Sequence, residues 1–231
     1  MFEPLRPRHK IVLTALRRLE AGFLKDNACY FGGGTRIVLE LGEYRESADV
    51  DFLCASREGY RALRSAVNDA SLGAIARPGL KLAREVIADR YGIRTWLDVD
   101  GEKLKFEIVL EARIALRGAA EKGSPVAVLD RVSCCAEKFL ANADRWNDES
   151  VLGRDAIDLV FMAANWGVEP LRQGCAVATE AYGGIVARAV KRAATRLIEQ
   201  PAWRRRCVTT LTISDTKTLL AGLRLVAGTR W

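Results

Sequence analysis

The chain has 231 residues, 49% of them hydrophobic and 28% charged, so a packed core is expected in one large domain or two small ones. No apolar run approaches the roughly 20 residues a bilayer span needs, and the N-terminus "MFEPLRPRHKIVLTALRRLE" lacks the apolar segment and cleavage site of a signal peptide; a cytoplasmic chain with no membrane partner is expected. A net charge of +7 suggests an anionic partner, while the single histidine, His9, leaves little room for histidine-based general-base or Ser-His-Asp chemistry, so carboxylates and metal are the expected tools of any catalysis. The cysteines Cys29, Cys54, Cys134, Cys135, Cys175 and Cys207 form no CxxC pair; with one histidine they make no zinc site and read as inert thiols in a reducing compartment.

From 9 to 25, Ile11, Val12, Leu13, Leu16, Leu19, Phe23 and Leu24 make one broad apolar helical face. Residues 27–31 read as a short strand running into Gly32, Gly33 and Gly34, and 35–41 as a short helix stopped by Gly42. "GEYRES" is a polar loop, "ADVDFLCA" a strand, and 57–72 a helix containing Leu63 and Val67. From 81 to 116 the pattern is strand-like in three pieces, "LAREVIADR", "GIRTWLDVD" and "KLKFEIVLEARIAL", with Asp100-Gly101 as a hairpin turn. "RGAAEKGSP" is a small, polar, Gly/Pro-marked linker. Beyond it, helices are expected near 133–145, 153–166, 175–182, 185–200 and 215–226, with "CVTTLTIS" ambiguous. The expected architecture is α+β: a mixed-sheet α/β domain with flanking helices over 1–118, then an all-helical domain over 119–231.

Side chains at i and i+2 of a strand point the same way, so Asp49 and Asp51 project together, with Val50 on the opposite face. Two carboxylates so placed repel each other and raise each other's pKa unless a cation lies between them, and oxygen-only ligands favour Mg²⁺ or Mn²⁺. A glycine turn between strand and helix presents backbone N–H groups toward an anion, and the helix dipole adds to this. Gly33, Gly34 and the Thr35 hydroxyl can thereby hold a phosphate oxygen, 14 residues before Asp49. A phosphate cradle and a metal pair so spaced suit a nucleoside triphosphate.

"GGTRIVLELGEYRESADVDF", then "CCAEKFLANADRW", then "GRDAIDL" follow in that order, from Gly33 to Leu159. The arrangement resembles the nucleotidyltransferase fold of the DNA polymerase β type, and within it the AbiEii family of nucleotidyltransferases, many of them toxins of toxin–antitoxin pairs. The resemblance implies a nucleotidyltransferase-fold mixed sheet, an NTP substrate, a metal pair on Asp49 and Asp51, and phosphate contacts from Gly33, Gly34 and Thr35. It implies that Lys138 reaches the triphosphate and that Asp155 and Asp158, sharing a helix face at i and i+3, complete the site, with Asp158 anchoring Lys138 or orienting the attacking group. Lys138 as a solvated surface lysine, and Asp155 as an ordinary first-turn charge, are the plainer readings. Many enzymes of this fold carry a third carboxylate on a neighbouring strand; Lys105, Glu107, Val109 and Glu111 share one face, with Glu107 the first choice for metal and catalysis and Glu111 the fallback. Arg36 contacts phosphate or is solvated; Arg45 pairs with Glu43 or Glu46, or contacts the nucleotide.

The implied reaction moves a nucleoside monophosphate from an NTP to a hydroxyl and releases pyrophosphate. Between 183 and 206 stand seven basic residues, Arg188, Lys191, Arg192, Arg196, Arg204, Arg205 and Arg206, against one acid, Glu199. Arg188, Arg192 and Arg196 recur every four residues as a stripe that either follows a nucleic-acid backbone, with Lys191 beside it, or solubilises a helix. The resemblance favours RNA, in particular the 3′ end of tRNA, and a cognate antitoxin as protein partner. The same chemistry on a small molecule or protein, and a non-catalytic nucleotide-binding relative, are the alternatives.

Overall fold

The computed structural model describes residues 3–231. The chain forms two compact units, one of Met1–Glu40 and Ser47–Asp130, the other of Leu41–Glu46 and Arg131–Trp231.

The first unit opens with α1 (Pro7–Arg17) and α2 (Ala21–Asp26) in place of one long helix. Between them the backbone turns away to pair elsewhere: Glu20 N–H donates to the Ile75 carbonyl at 2.9 Å and Arg77 N–H to the Arg18 carbonyl at 2.9 Å. Then come β1 (Cys29–Phe31), α3 (Gly33–Glu40), β2 (Val50–Cys54) and α4 (Arg57–Ser65), the last capped by the Ser56 hydroxyl, which accepts from Gly59 N–H. α4 stops short of the apolar pattern's end at Leu72 because Asn68 and Ser71 pair back-to-back in a tight turn.

The strand-rich stretch contains β3 (Lys81–Leu82), β4 (Ile87–Ala88), β5 (Gly92–Val99) and β6 (Glu102–Leu110), joined at the expected Asp100-Gly101 turn. The expected linker instead holds β7 (Gly118–Ala119) and leads to β8 (Val128–Leu129), which runs parallel to β1 with Phe31 beside Val128. The first unit therefore continues to Asp130. All eight strands form one mixed sheet in the order β3-β5-β6-β2-β1-β8-β7, with β4 on β5.

The sheet has a dry face. Cys29, Phe31, Val50, Phe52, Cys54, Leu104, Phe106 and Ile108 alternate onto it, are buried, and join one core cluster with Val12, Leu16, Leu24, Tyr60 and Leu63 from the helices. Phe31, Phe52 and Phe106 form a row across three strands, with ring centroids 5.6 and 6.0 Å apart.

The second unit is helical: α5 (Arg131–Arg145), α6 (Arg154–Trp166), α7 (Val168–Tyr182), α8 (Ile185–Glu199), α9 (Pro201–Thr210) and α10 (Thr216–Gly228). Every residue of α6 from Asp155 to Ala163 is buried, which makes it the central helix, packed on α5, α7, α8 and α10. Close approach of α10 needs Gly222, where a Cβ would stand 2.5 Å from Val160 Cγ1. "CVTTLTIS" resolves as the end of α9 and a turn that buries Ile213. No helix among the described residues is long and apolar enough to cross a membrane.

The aromatic row sets a stability expectation. Phe52→Ala should cost about 3–5 kcal/mol, seen as a lower urea midpoint at unchanged m-value.

Candidate active site

Because Val50, Phe52 and Cys54 are taken by the core, the alternation of β2 sends Asp49 and Asp51 to the other face. There Asp51 meets the glycine turn. Gly32 N–H donates to the Asp51 carbonyl at 2.9 Å. Gly33 opens α3 with φ of +65°, and a Cβ on it would stand 2.6 Å from Asp51 Oδ2. Of the amino acids, glycine alone tolerates that dihedral together with that clearance. The Asp51 carboxylate thus lies against the first turn of α3, where unpaired backbone N–H groups and the helix dipole favour negative charge.

β6 lies parallel to β2 with Asp51 beside Glu107. Glu107 is held at both oxygens: Arg94 Nε donates to Oε1 at 2.7 Å and Lys105 Nζ to Oε2 at 2.8 Å, while Arg94 also pairs with Asp89 at 3.1 Å. Burial pushes the Glu107 pKa up, but the hydrogen bonds from Lys105 and Arg94 outweigh it and hold the carboxyl below its usual range. The Lys105 ammonium is pulled down by burial and raised, on balance, by Glu107, Asp51 and Asp49. Glu111 lies beyond the end of β6, buried, with Arg113 clamped on its oxygens.

Among the described residues, no three Asp, Glu, His or Cys side chains converge as a ready metal cluster. Asp49 and Asp51 do suit Mg²⁺ or Mn²⁺: they are hard oxygen donors two residues apart at the start of β2, and such ions are held by one or two carboxylates together with substrate phosphates.

Behind this face the loop before Asp49 is tied down. Ser47 Oγ lies 2.9 Å from Thr35 Oγ1, and Ser47 N–H donates to His9 Nε2 at 3.2 Å. His9 is fully buried and acts as an anchor for that loop. The Thr35 hydroxyl is buried too, turned onto Ser47. Arg36, 2% exposed, pairs with Glu40 and with Glu121 at 3.3 Å.

Lys138, Asp155, Asp158 and Arg45 meet inside the second unit. Lys138 Nζ bridges Asp155 Oδ1 at 2.9 Å and Asp158 Oδ2 at 2.7 Å, with 8% of its side chain exposed. Arg45 chelates Asp158 through Nε and Nη2 at 2.7 and 2.8 Å, and Tyr44 donates to Asp158 Oδ1 at 2.6 Å. Arg145 chelates Asp155 at 2.7 and 3.0 Å. Tyr44 also stacks on Phe161, centroids 3.9 Å apart. Burial opposes ionisation of both aspartates, yet Arg45 and Lys138 at Asp158, and Lys138 and Arg145 at Asp155, keep both pKa values below normal. Burial and the Asp158 charge push the Tyr44 hydroxyl up. Lys138 keeps its proton firmly, since Asp158 and Asp155 outweigh the cost of burial.

On α8, Arg188, Lys191 and Arg192 are exposed. Arg196 leaves their stripe: it pairs with Glu149 at 2.5 Å and covers the Trp203 ring at 4.5 Å. Lys191, Arg192 and Arg196 line an open groove of about 540 Å³ together with Trp146, over whose ring Arg192 lies at 5.9 Å.

The structure therefore groups Gly33, Gly34, Asp49, Asp51 and Glu107 in one unit, and Lys138, Asp155, Asp158 and Arg45 in the other. Arg36 joins neither group. Sequence reasoning assigned no site role to Lys105, Arg94, Ser47, Tyr44 or Arg145. The parity that selected Glu107 also selects Lys105, and Ser47 shares the parity of Asp49; nothing local marks Tyr44 or Arg145.

Two outcomes follow from the buried network. Asp158→Ala leaves Arg45 and Lys138 facing an uncompensated gap and should cost about 3–5 kcal/mol in chemical unfolding. Because both aspartates titrate below their usual 3.8, their contribution is complete above that pH and lost as pH falls through the lower folded values. The urea midpoint of the wild type should therefore drop as pH falls below about 4, and that drop should shrink in Asp158→Asn.

The fold has counterparts among known proteins. Two solved structures share the fold: a candidate nucleotidyltransferase from H. pylori, 18% identical, TM-score 0.52, covering 95% of this chain and 93% of that one, and JHP933 from Helicobacter pylori, 16% identical, TM-score 0.53, covering 95% and 90%. No curated protein matches the chain. The family model described as nucleotidyl transferase AbiEii toxin, type IV toxin–antitoxin system, matches residues 14–215. The chain thus belongs to the AbiEii family of nucleotidyl transferase toxins and is a nucleotidyltransferase.

Proposed function

We propose that the protein transfers a nucleoside monophosphate from an NTP to a hydroxyl of RNA, with the 3′ end of tRNA as target, that Mg²⁺ or Mn²⁺ is required, and that a cognate antitoxin restrains it in the cytoplasm. The observation that carries the reading is the Asp51 carboxylate set against the first turn of α3, 2.6 Å from where a Cβ on Gly33 would stand. Only at such a spot can one nucleotide tail touch both an anion-binding helix start and a cation-binding acid.

In this reading Gly33 and Gly34 receive phosphate oxygens on backbone N–H groups, with Thr35 and Ser47 fixing the turn and the approach to Asp49. Asp49 and Asp51 hold the metal, and Glu107 completes the acidic face. When bound, the metal supplies Lewis-acid stabilisation of the phosphates and of the attacking oxygen. The acceptor oxygen forms a bond to the α-phosphorus, the bond to the bridging oxygen breaks, and pyrophosphate leaves. The acceptor proton passes to a carboxylate of this face, Asp51 or Glu107. Lys138, Asp155, Asp158 and Arg45 act through their mutual network, which orders the helical unit from within. Arg36 braces α3 along its length through its ion pair with Glu40 at the helix end.

RNA is supported by the α8 surface. Arg188, Lys191 and Arg192 offer charge, and the groove beside them holds Trp146, whose indole can stack on a base. Arg196 shapes the groove wall.

Labelled NTPs incubated with Mg²⁺ and total tRNA test the reading. Label on RNA is expected; label on protein or small molecules instead would replace RNA as acceptor. Asp49→Ala and Asp51→Ala should each lower transfer by at least about 10³-fold, and chelation of the metal should stop it reversibly. Binding of single-stranded RNA should weaken with salt, and the slope should fall by about 0.7 for each of Arg188, Lys191 and Arg192 changed to Ala.

A further inference from the structure

The cations that the sequence offered to a triphosphate are engaged elsewhere. Lys138 bonds both Asp155 and Asp158 with 8% of its side chain exposed, Arg36 is 2% exposed on Glu40 and Glu121, and Arg45, 3% exposed, chelates Asp158. A polyanion arriving at Asp49, Asp51 and Glu107 needs a cation besides the metal. One side chain on this face fits that need. Lys105 is 41% exposed, stands two residues before Glu107 on the same face of β6, and pairs with Glu107 at 2.8 Å. The parallel register places Val50 beside Phe106 and Asp51 beside Glu107. Asp49 stands one residue before that ladder begins, and its charge acts on the Lys105 ammonium as that of Asp51 does.

We propose that Lys105 is a phosphate-binding residue of the nucleotide site, meeting the β- or γ-phosphate oxygens of the NTP, and that Glu107 and Arg94 position its ammonium. The proposal rests on the reading that Gly33, Asp49 and Asp51 form the nucleotide site.

The chemistry is that of a tethered point charge. An ammonium has three donors, and its bond to Glu107 uses one, so two remain for phosphate oxygens. Glu107 is fixed on its other side by Arg94, which is itself fixed by Asp89. Lys105 is thus aimed before substrate arrives, which lowers the entropy lost on binding. Asp49, Asp51, Glu107 and Asp89 against Lys105 and Arg94 leave this group two charges negative. It therefore tolerates a metal ion, and it receives a triphosphate when the metal and Lys105 meet it together. Glu107 acts here as the tether of a lysine and not as a metal ligand, since a cation already faces each of its oxygens and would repel a metal ion there.

Magnesium tripolyphosphate, a probe blind to the base, tests this by calorimetry on the full chain. Lys105→Met should bind it about 10–100-fold more weakly than wild type, while Lys105→Arg should stay within about threefold. Equal binding by wild type and Lys105→Met overturns the proposal while leaving the nucleotide site standing. Failure of wild type to bind either tripolyphosphate or any NTP overturns the nucleotide site itself, and Lys105 with it. Lys105 is exposed enough that Lys105→Met should fold, which circular dichroism checks. In Glu107→Gln the Mg²⁺ concentration for half-maximal tripolyphosphate binding should stay within about twofold of wild type; a shift of about tenfold or more makes Glu107 a metal ligand and overturns its positioning role.

Discussion

The first unit depends on the two-residue period of β2. Phe52 must enter the core between Phe31 and Phe106, and once it does Asp51 has no choice of face. A slip of one residue in the pairing with β6 would bury both aspartates and expose the aromatic row. The energy that fixes the register is hydrophobic, and the groups it positions are charged. The dry side of the sheet thereby sets the acidic side, and the same parity on β6 brings Glu107 beside Asp51 with Lys105 on the same face.

The second unit is organised by charge instead. Two aspartates on the buried helix α6 are held by three cations and a tyrosine hydroxyl. Each carboxylate oxygen accepts at least one hydrogen bond from these partners, which is what makes burial tolerable. The network is geometrically demanding, since Arg45 and Tyr44 come from the short segment Leu41–Glu46 and Lys138 and Arg145 from α5. Such an arrangement contributes less to net stability than to a unique placement, because apolar residues would fill the same volume at lower desolvation cost.

Much of this was legible in the sequence, and the failures share a form. The glycine turn, the strand carrying Asp51, the β5–β6 hairpin and the helices α5, α6, α8 and α10 follow from local periodicity or turn chemistry, whereas α7 starts seven residues before its expected start and α9 had no expected counterpart. Where the reading ran long, at 9–25 and 57–72, the apolar pattern continued but the backbone turned away to bond a distant segment or to close a tight turn. The linker that composition suggested contains β7, and β8 follows it, because two-residue strands leave too short a pattern to detect.

For the site, the sequence by itself determined which side chains share a face: Asp49 with Asp51, Lys105 with Glu107, Asp155 with Asp158, and Arg188 with Arg192. Backbone geometry repeats every 2 or 3.6 residues, so this information is local and survives without a fold. Only the tertiary structure decided what each charge meets. Arg45 finds Asp158 across 113 positions, and Lys138 turns inward onto two aspartates while Lys105 pairs with Glu107 and stays part exposed. Charge pairing over such separations leaves no periodic trace, because a guanidinium or ammonium accepts any carboxylate that packing brings within reach.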